Sequence, residues 1–501
     1  MKSNPHIVTL PKELRFLLFA LACACILWPA KVEAATISVA AGSDAINSDS
    51  ICQLHEALVN ISDGARTHAD CVETGSYGSN DTITLPTGTI TGTGGSGFPL
   101  NKPAKVVGQG KGVSILNNSG FTATGGSGFT DDFTFEDFTA LADGMTVIVA
   151  QGARNVTLQD MEFELTDTTG NPAFGLQASG NMNVNVYDSY FKGVFSLSGS
   201  GFIQGMGVRA NDDAYDTNLD VERSTFSGLM QGIGLISDGS SLPTTLNAVI
   251  KNSTMTGLRS LASFGSGYGP QSAAGILVYT DADAPNQAVV NYTTINNTFG
   301  PSAANSYAVA IMEANSGDAA INHTAQNDLY ATGGEGDSTN YHRFTGSGSG
   351  ISFNFNTTSN GGNVSSDNSL STWLNQSTDK HGQTSLASFL GALSDNGGAV
   401  PTLALLEGSP AINAGTNVAG LTTDAKGGAR VLGAASDAGA YESTFGSLAG
   451  NSANNNGAVP GVPKTGFALL LNNPLATLAG TTLSATLLWF LSRRIKLRRF
   501  W

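Results

Sequence analysis

Charge is scarce in this chain. Only 13% of its 501 residues are Asp, Glu, Lys or Arg. Long helices need Glu, Lys and Arg in quantity, so a helical bundle or coiled coil is excluded. Proline is sparse at 16, which rules out a proline-rich extended protein. Six histidines and four cysteines give no CxxC pair or clustered ligand set, so no metal site and no cofactor are expected, though stacked acids leave calcium open. What is plentiful is glycine, 62 residues, with Asn, Ser and Thr. Short strands joined by small polar turns fit that mixture. A single compact core does not suit 501 residues, so either several domains or one elongated repeat is required.

The net charge is −15, yet both ends are basic. Setting aside Lys2, Lys12, Arg15 and Lys31, and Arg493, Arg494, Lys496, Arg498 and Arg499, the stretch between carries 15 basic against 37 acidic residues. So acidic a body repels phosphate backbones, and nucleic-acid binding is excluded as its task.

The two ends read as addresses. Residues 1–34 have the layout of a secretory signal: Lys12 and Arg15, an apolar run from Phe16 to Trp28, and small residues before Ala35. Residues 444–461 are Gly-, Ser-, Ala- and Asn-rich and read as a flexible linker. Residues 462–501 hold Val462, Pro463, Lys464, Thr465 and Gly466, an apolar stretch densest over 475–491, and a basic tail. That tail would stop on the cytoplasmic side of a membrane. The order of motif, span and tail resembles a sortase sorting signal, with Val462 where Leu is usual. The resemblance implies cleavage between Thr465 and Gly466, with sortase and cell-wall peptide as partners. The alternative is a plain C-terminal membrane anchor. Both readings export the body to the cell surface.

The body repeats. Asn155-Val-Thr-Leu-Gln-Asp-Met-Glu-Phe163 returns as Asn183 to Phe191, Asn218 to Phe226 and Asn247 to Met255, then as Gln287 to Ile295 and, more weakly, from Asp318. A second strand lies between copies, marked by Gly175-Leu176, Gly207-Val208, Gly234-Leu235 and Gly275-Ile276. A repeat of about thirty residues with alternating apolar positions cannot bury its inner face alone, so it stacks on its neighbours. The expected fold is all-β, a right-handed parallel β-helix, with residues 35–120 as N-terminal cap and first coils, 121–365 as the coils, and 366–443 as C-terminal coils and cap.

Two segments carry a family resemblance. Ile51-Cys-Gln-Leu-His-Glu-Ala-Leu58, with Cys71 and Asp81-Thr-Ile-Thr-Leu-Pro86, resembles the CSLREAI domain, with Gln53 and His55 in place of its Ser and Arg. Asp395-Asn-Gly-Gly398, Gly408-Ser-Pro-Ala-Ile-Asn-Ala-Gly415, Arg430 and Asp437-Ala-Gly-Ala-Tyr-Glu442 are similar to the closing segment of choice-of-anchor Q proteins. Those proteins resemble pectin-lyase-like right-handed β-helices, so the resemblance implies that fold with an exchangeable surface anchor. The positions Leu54, Ala57, Leu58 and Ile61 have helical spacing and suit a lid on the first coil. Cys52 and Cys71 are the thiols left after signal removal and would pair outside the cell, the alternative being two buried free thiols. Asp424, Arg430, Asp437 and Glu442 suit an ion-pair cluster that is structural.

Catalysis on this fold needs a site of its own. Asp212, Asp213 and Asp216 form the first acidic cluster, with Arg209 beside it as the base a lyase would need. Asp131, Asp132, Glu136 and Asp137 form the next. The Gly-His-Gly segment of pectin hydrolases is absent, and Arg-Ile-Lys occurs only at 494–496, in the tail. The sequence therefore leads to an expectation of no enzyme: an adhesin-like, glycan-binding or structural surface protein that grips glycans or another cell surface. The alternative is a polysaccharide lyase or glycoside hydrolase.

Overall fold

The structure is a computed structural model. It describes residues 33–446 apart from 79, 93–96, 126–131, 153, 169–170, 195–204, 213–215, 239–242, 260–272, 282–286, 305, 314–317, 333–338 and 345–352. The signal (1–34, all but its last two residues), the linker (444–461, from 447 onward) and the sorting segment with Val462, Pro463, Lys464, Thr465 and Gly466 lie outside the described residues. Among the described residues no helix is long and apolar enough to cross a membrane.

The chain winds into a right-handed parallel β-helix whose described residues form three long sheets, of 12, 11 and 9 strands, with a two-stranded antiparallel pair, Leu390–Ser394 and Thr402–Leu405, beside them. One coil shows the plan: Arg154–Gln159 in the first sheet, Glu162–Thr166 in the second, Ala173–Ser179 in the third, then Met182–Tyr187 directly above the start. The repeated nine-residue pattern is thus one strand, a corner, and the opening of the next. Each coil has three strands where the sequence marked at least two.

The corner between the first and second sheets is a single residue held at positive φ. It is Asp137, Asp160, Asp188, Arg223, Asn252, Asn296 and Asn327 in successive coils, with φ between 48° and 61°. Asp and Asn tolerate that conformation better than other non-glycine residues, which accounts for the polar break in every repeat. The next residue closes a buried ladder. Ser189, Ser224 and Ser253 hydroxyls each accept the backbone N–H of the coil below at 3.2 Å. Asn297, Asp328 and Asn363 continue it at 3.0, 2.7 and 2.9 Å.

Inside, Phe163 stacks on Phe191 at 4.5 Å and Phe191 on Phe226 at 4.8 Å, with Phe299 on Tyr330 further along. The third sheet makes room with a glycine row. A Cβ on Gly207 would lie 2.5 Å from the Phe226 ring and one on Gly275 2.8 Å from Phe299. At Gly232 the facing residue is Met255, at 3.4 Å. The row runs through Gly232-Ile233, because Val208 pairs with Ile233 and Ile233 with Ile276. Gly234, marked from the sequence, lies one pleat further along. The repeat register is corrected likewise. Asn247 pairs with Asn291 and Asn291 with Asn322, four residues beyond the starts read at Gln287 and Asp318.

Helix α1, Leu54–Asp63, closes the N-terminal end with Leu54, Ala57, Leu58 and Ile61 buried. Cys52 and Cys71 form a disulfide around it. Closing a loop of that size contributes roughly 3 kcal/mol. At the other end Leu370, Trp373 and Leu374 are buried, and Trp373 meets His323, Tyr341 and Phe355 edge-on.

Residues 395–443 do something else: they turn back as a strap along the corner row. Thr225 donates to the Pro401 carbonyl, the Asn252 amide to that of Thr423, and Gly439 N–H to that of Asn327. Arg430 staples the strap to itself. Its guanidinium donates to the carbonyls of Ala440, Asp437 and Gly439 and lies 3.7 Å from Glu442. Asp424 and Asp437 accept backbone N–H groups of Glu442, Asn413 and Ser443. The four residues expected to cluster do so, with Asp424, Arg430, Asp437 and Glu442 all buried.

Candidate functional site

The outward face of the first sheet carries a ladder of seven asparagines: Asn155, Asn183, Asn218, Asn247, Asn291, Asn322 and Asn356. Each Nδ2 donates to the Oδ1 of the coil below at 2.8 to 3.1 Å, and Asn155 ends the row on Asp132 at 2.7 Å. The stacking puts one amide per coil, about 4.8 Å apart. A ladder bond uses one N–H and one lone pair of each amide, so one donor and one acceptor per coil remain for a ligand. A groove of about 480 Å³ lies on this face, lined by Asn183, Asn185, Asn218, Asp220, Asn247, Val249, Lys251, Asn291 and Thr293 among others.

Between ladder and corner runs a charged strip. Lys251 Nζ lies 3.4 Å from Asp220 Oδ1 and 3.2 Å from Glu222 Oε2. The Tyr187 hydroxyl donates to Asn185 at 3.2 Å and Asp220 at 3.3 Å. Burial, and then the Asp220 charge, push its pKa up to about 12. Arg223 clamps Asp188 through two 2.8 Å hydrogen bonds and also reaches Glu222. The bond to Asp188 holds its guanidinium charged even more firmly than usual.

The corner row supplies Asp137, Asp160 and Asp188 in three successive coils. Asp160 is held by Lys111 at 3.9 Å and by the Gln159 amide at 2.6 Å. Lys111 also donates to the carbonyls of Asp188 and Ala399, tying the strap to this row. Asp137 differs from its neighbours. Burial, then the charges of Asp160 and Glu136, raise its carboxyl above the usual range. Glu136 pairs with Lys105. Neighbouring carboxyls in unlike settings, one raised by burial and one fixed by a lysine, are the raw material of acid–base chemistry.

The acids singled out first from the sequence are not arranged this way. Asp212 is fully buried and accepts from the Ser237 hydroxyl at 2.5 Å. Asp216 accepts the N–H of Thr245 at 3.0 Å. Asp213 and Asp131 lie outside the described residues. Arg209 lies on the third sheet, where burial lowers its pKa and the charge acting on it is that of Tyr279. The second sequence cluster, Glu136 and Asp137, does fall at the acidic corner. Asp160 and Asp188 show in the sequence only as the polar breaks of their repeats. Among the described residues no group of acids and histidines is set up to hold a metal ion.

Fold and flank together define a parallel β-helix with a polar groove along its coils. No family model matches the chain, and no curated protein matches it. The resemblances noted at its two ends therefore stand on their residues alone. Among solved structures, the catalytic domain of a GH87 α-1,3-glucanase in complex with nigerose matches at 13% identity, over 67% of this chain and 69% of that one, with a TM-score of 0.24. A variant of such a domain in complex with tetrasaccharides matches at 13% identity, with the same coverage and a TM-score of 0.23. The expectation that the chain is no enzyme is withdrawn: the matched structures are catalytic domains, and missing linear motifs exclude no activity on this fold. That expectation rested on missing linear motifs, whereas a coil assembles acids from residues about thirty positions apart. At this identity and TM-score the likeness assigns no reaction and no residue to the chain.

Proposed function

We propose that the protein is glycan-active: it seats a neutral polysaccharide along the asparagine face and hydrolyses it at the acidic corner. The observation that carries this reading is the unbroken row of seven amides. Sugar hydroxyls both donate and accept, and the ladder offers one of each per coil, roughly one pyranose at a time. Neutral chains are favoured because the adjoining strip sets six acids, Glu136, Asp137, Asp160, Asp188, Asp220 and Glu222, against four cations, Lys105, Lys111, Arg223 and Lys251, an acidic excess that disfavours uronates. Glycoside hydrolysis needs two carboxyl groups astride the bond. Asp137, whose carboxyl burial and its acidic neighbours push upward, is the acid that protonates the departing sugar oxygen. Asp160, held by Lys111, is the partner that activates water or attacks the anomeric carbon.

The same reading places the body outside the cell, released from residues 1–34 and joined to cell-wall peptide through Thr465, or held by its C-terminal span. A grip on glycans of another surface is compatible with that address.

The test is release of reducing ends from α-1,3-, β-1,3- and β-1,4-glucans, with wild type and with Asp137→Asn and Asp160→Asn. Each substitution is expected to lower kcat by about a hundredfold or more. Release of unsaturated products from pectin instead, or full activity in both variants, overturns the hydrolytic assignment.

A further inference from the structure

A second cavity lies far from the asparagine face in the chain's topology. Gly257, Leu258 and Arg259, Pro301, Ser302 and Ala303, and Ala331 and Thr332 are the corners that three successive coils make after their second-sheet strands. Residues 384–388 cross over these corners on their way to the strap, and Thr384, Ser385, Ala387 and Ser388 form the facing wall. The space enclosed is about 510 Å³, within the range of small-molecule sites.

Among the described residues its lining is half apolar and half hydroxyl, with one charge, Arg259. That arginine differs from three others. Arg66, Arg223 and Arg430 each hold a carboxylate. Arg259 is exposed, and among the described residues no acid pairs with it, in a chain of net charge −15. Its backbone is fixed by a 2.9 Å hydrogen bond to the Leu229 carbonyl, so the base of the side chain is held in place. Ser302 is committed: its hydroxyl accepts from Leu258 N–H and donates to the Gly300 carbonyl. Thr332 is not. It is 3% exposed and its hydroxyl has no hydrogen-bond partner, although its backbone N–H is bonded to Asn340.

We propose that this cavity binds an anionic sugar, one pyranose unit bearing a carboxylate or a phosphate. A guanidinium takes either anion through two parallel hydrogen bonds, and a lone unpaired one at a cavity mouth is the recognition element for a single charge. The apolar wall of Leu258, Pro301 and Ala331 suits the flat face of a sugar ring. The chemistry is opposite to that of the acidic corner, which repels anions, so the two sites take different parts of a glycan mixture.

Saturation-transfer NMR and titration on the full chain test this, with glucuronate, glucose 6-phosphate and glucose as probes. Binding of glucuronate alone identifies a carboxylate ligand, and of glucose 6-phosphate alone a phosphate ligand; glucose is expected not to bind. Arg259→Gln is expected to weaken the anion by about tenfold or more. Thr332→Val provides a second, smaller loss. Neither variant is expected to alter retention on polysaccharide at the asparagine face, so this proposal can fail while the other stands. Equal binding of glucose, unchanged affinity in Arg259→Gln, or no binding of either anion at about 10 mM, which corresponds to under 3 kcal/mol, overturns it.

Discussion

The corner row is one structural position filled in two ways. In the earlier coils it is Asp137, Asp160, Asp188 and Arg223, half-buried and facing solvent. In the later coils it is Asn252, Asn296 and Asn327, each fully buried beneath the strap. The backbone asks the same thing of both halves, a residue that accepts positive φ. Solvent decides the rest. A half-buried corner beside Lys111 or Arg223 keeps a carboxyl, Asp137 with a raised pKa, whereas a fully covered one takes the neutral amide, because a buried carboxylate needs a cation to offset its desolvation. The chemistry of the flank therefore follows from how far the strap reaches.

The largest way to break this contrast is to loosen the strap. Arg430→Met leaves Glu442 without its cation and three buried carbonyls without a donor. A loss of about 3–5 kcal/mol is expected in chemical denaturation. An unchanged transition would show that the staple carries no stability. Exchanging the two corner types comes next. Asn327 accepts from Thr416 N–H at 2.7 Å and donates to its carbonyl at 2.7 Å. Asn327→Asp loses that donor and buries a charge, so about 2–4 kcal/mol should disappear at neutral pH. Asp160→Asn, the reverse exchange, should change stability by less than about 1 kcal/mol. Similar losses at the two positions would refute the solvent argument. Gly207→Ala probes the core that both halves share. Its Cβ has no room beside Phe226, and about 1–3 kcal/mol of overpacking strain is expected, read as a lower Tm.

Dependence on pH separates the halves again. His323, buried in the later coils, has its pKa pushed down to about 3 by burial. Its folded form takes up a proton less readily than the unfolded chain, so stability should fall as pH drops from 6.5 toward 3. Asp328, also buried there, is raised by burial to about 7. It holds its proton more tightly when folded, so stability should fall as pH rises from 3.8 toward 7. His323→Phe should remove the first slope and Asp328→Asn the second, each followed by denaturation across pH 4 to 7. If neither variant alters the profile, these groups are not buried as described.

The sequence displayed the repeat wherever its inner row stayed aliphatic. Val156, Val184, Leu219 and Ala248 keep the pattern, and the registers starting at Asn155, Asn183, Asn218 and Asn247 are right. At Tyr292 and His323 the row turns aromatic and polar, and there the sequence pattern points four residues ahead of the true register. The strap's path was not legible, because its contacts join residues as far apart as Lys111 and Ala399. The helix over the first coil was legible, since its spacing is local. The acidic corner was half visible: Glu136 and Asp137 adjoin in sequence, while Asp160 and Asp188 join them only through stacking.

Whether the asparagine face holds a sugar chain is decided most directly by migration of the purified protein in gels containing each polysaccharide. Val249 lines the groove, is 38% exposed, and takes no part in the ladder. The wild type should be retarded by at least one neutral glucan, and Val249→Glu should run as in a gel without polymer while keeping its Tm. Free migration of the wild type in every gel, or equal retardation of the variant, would contradict the account.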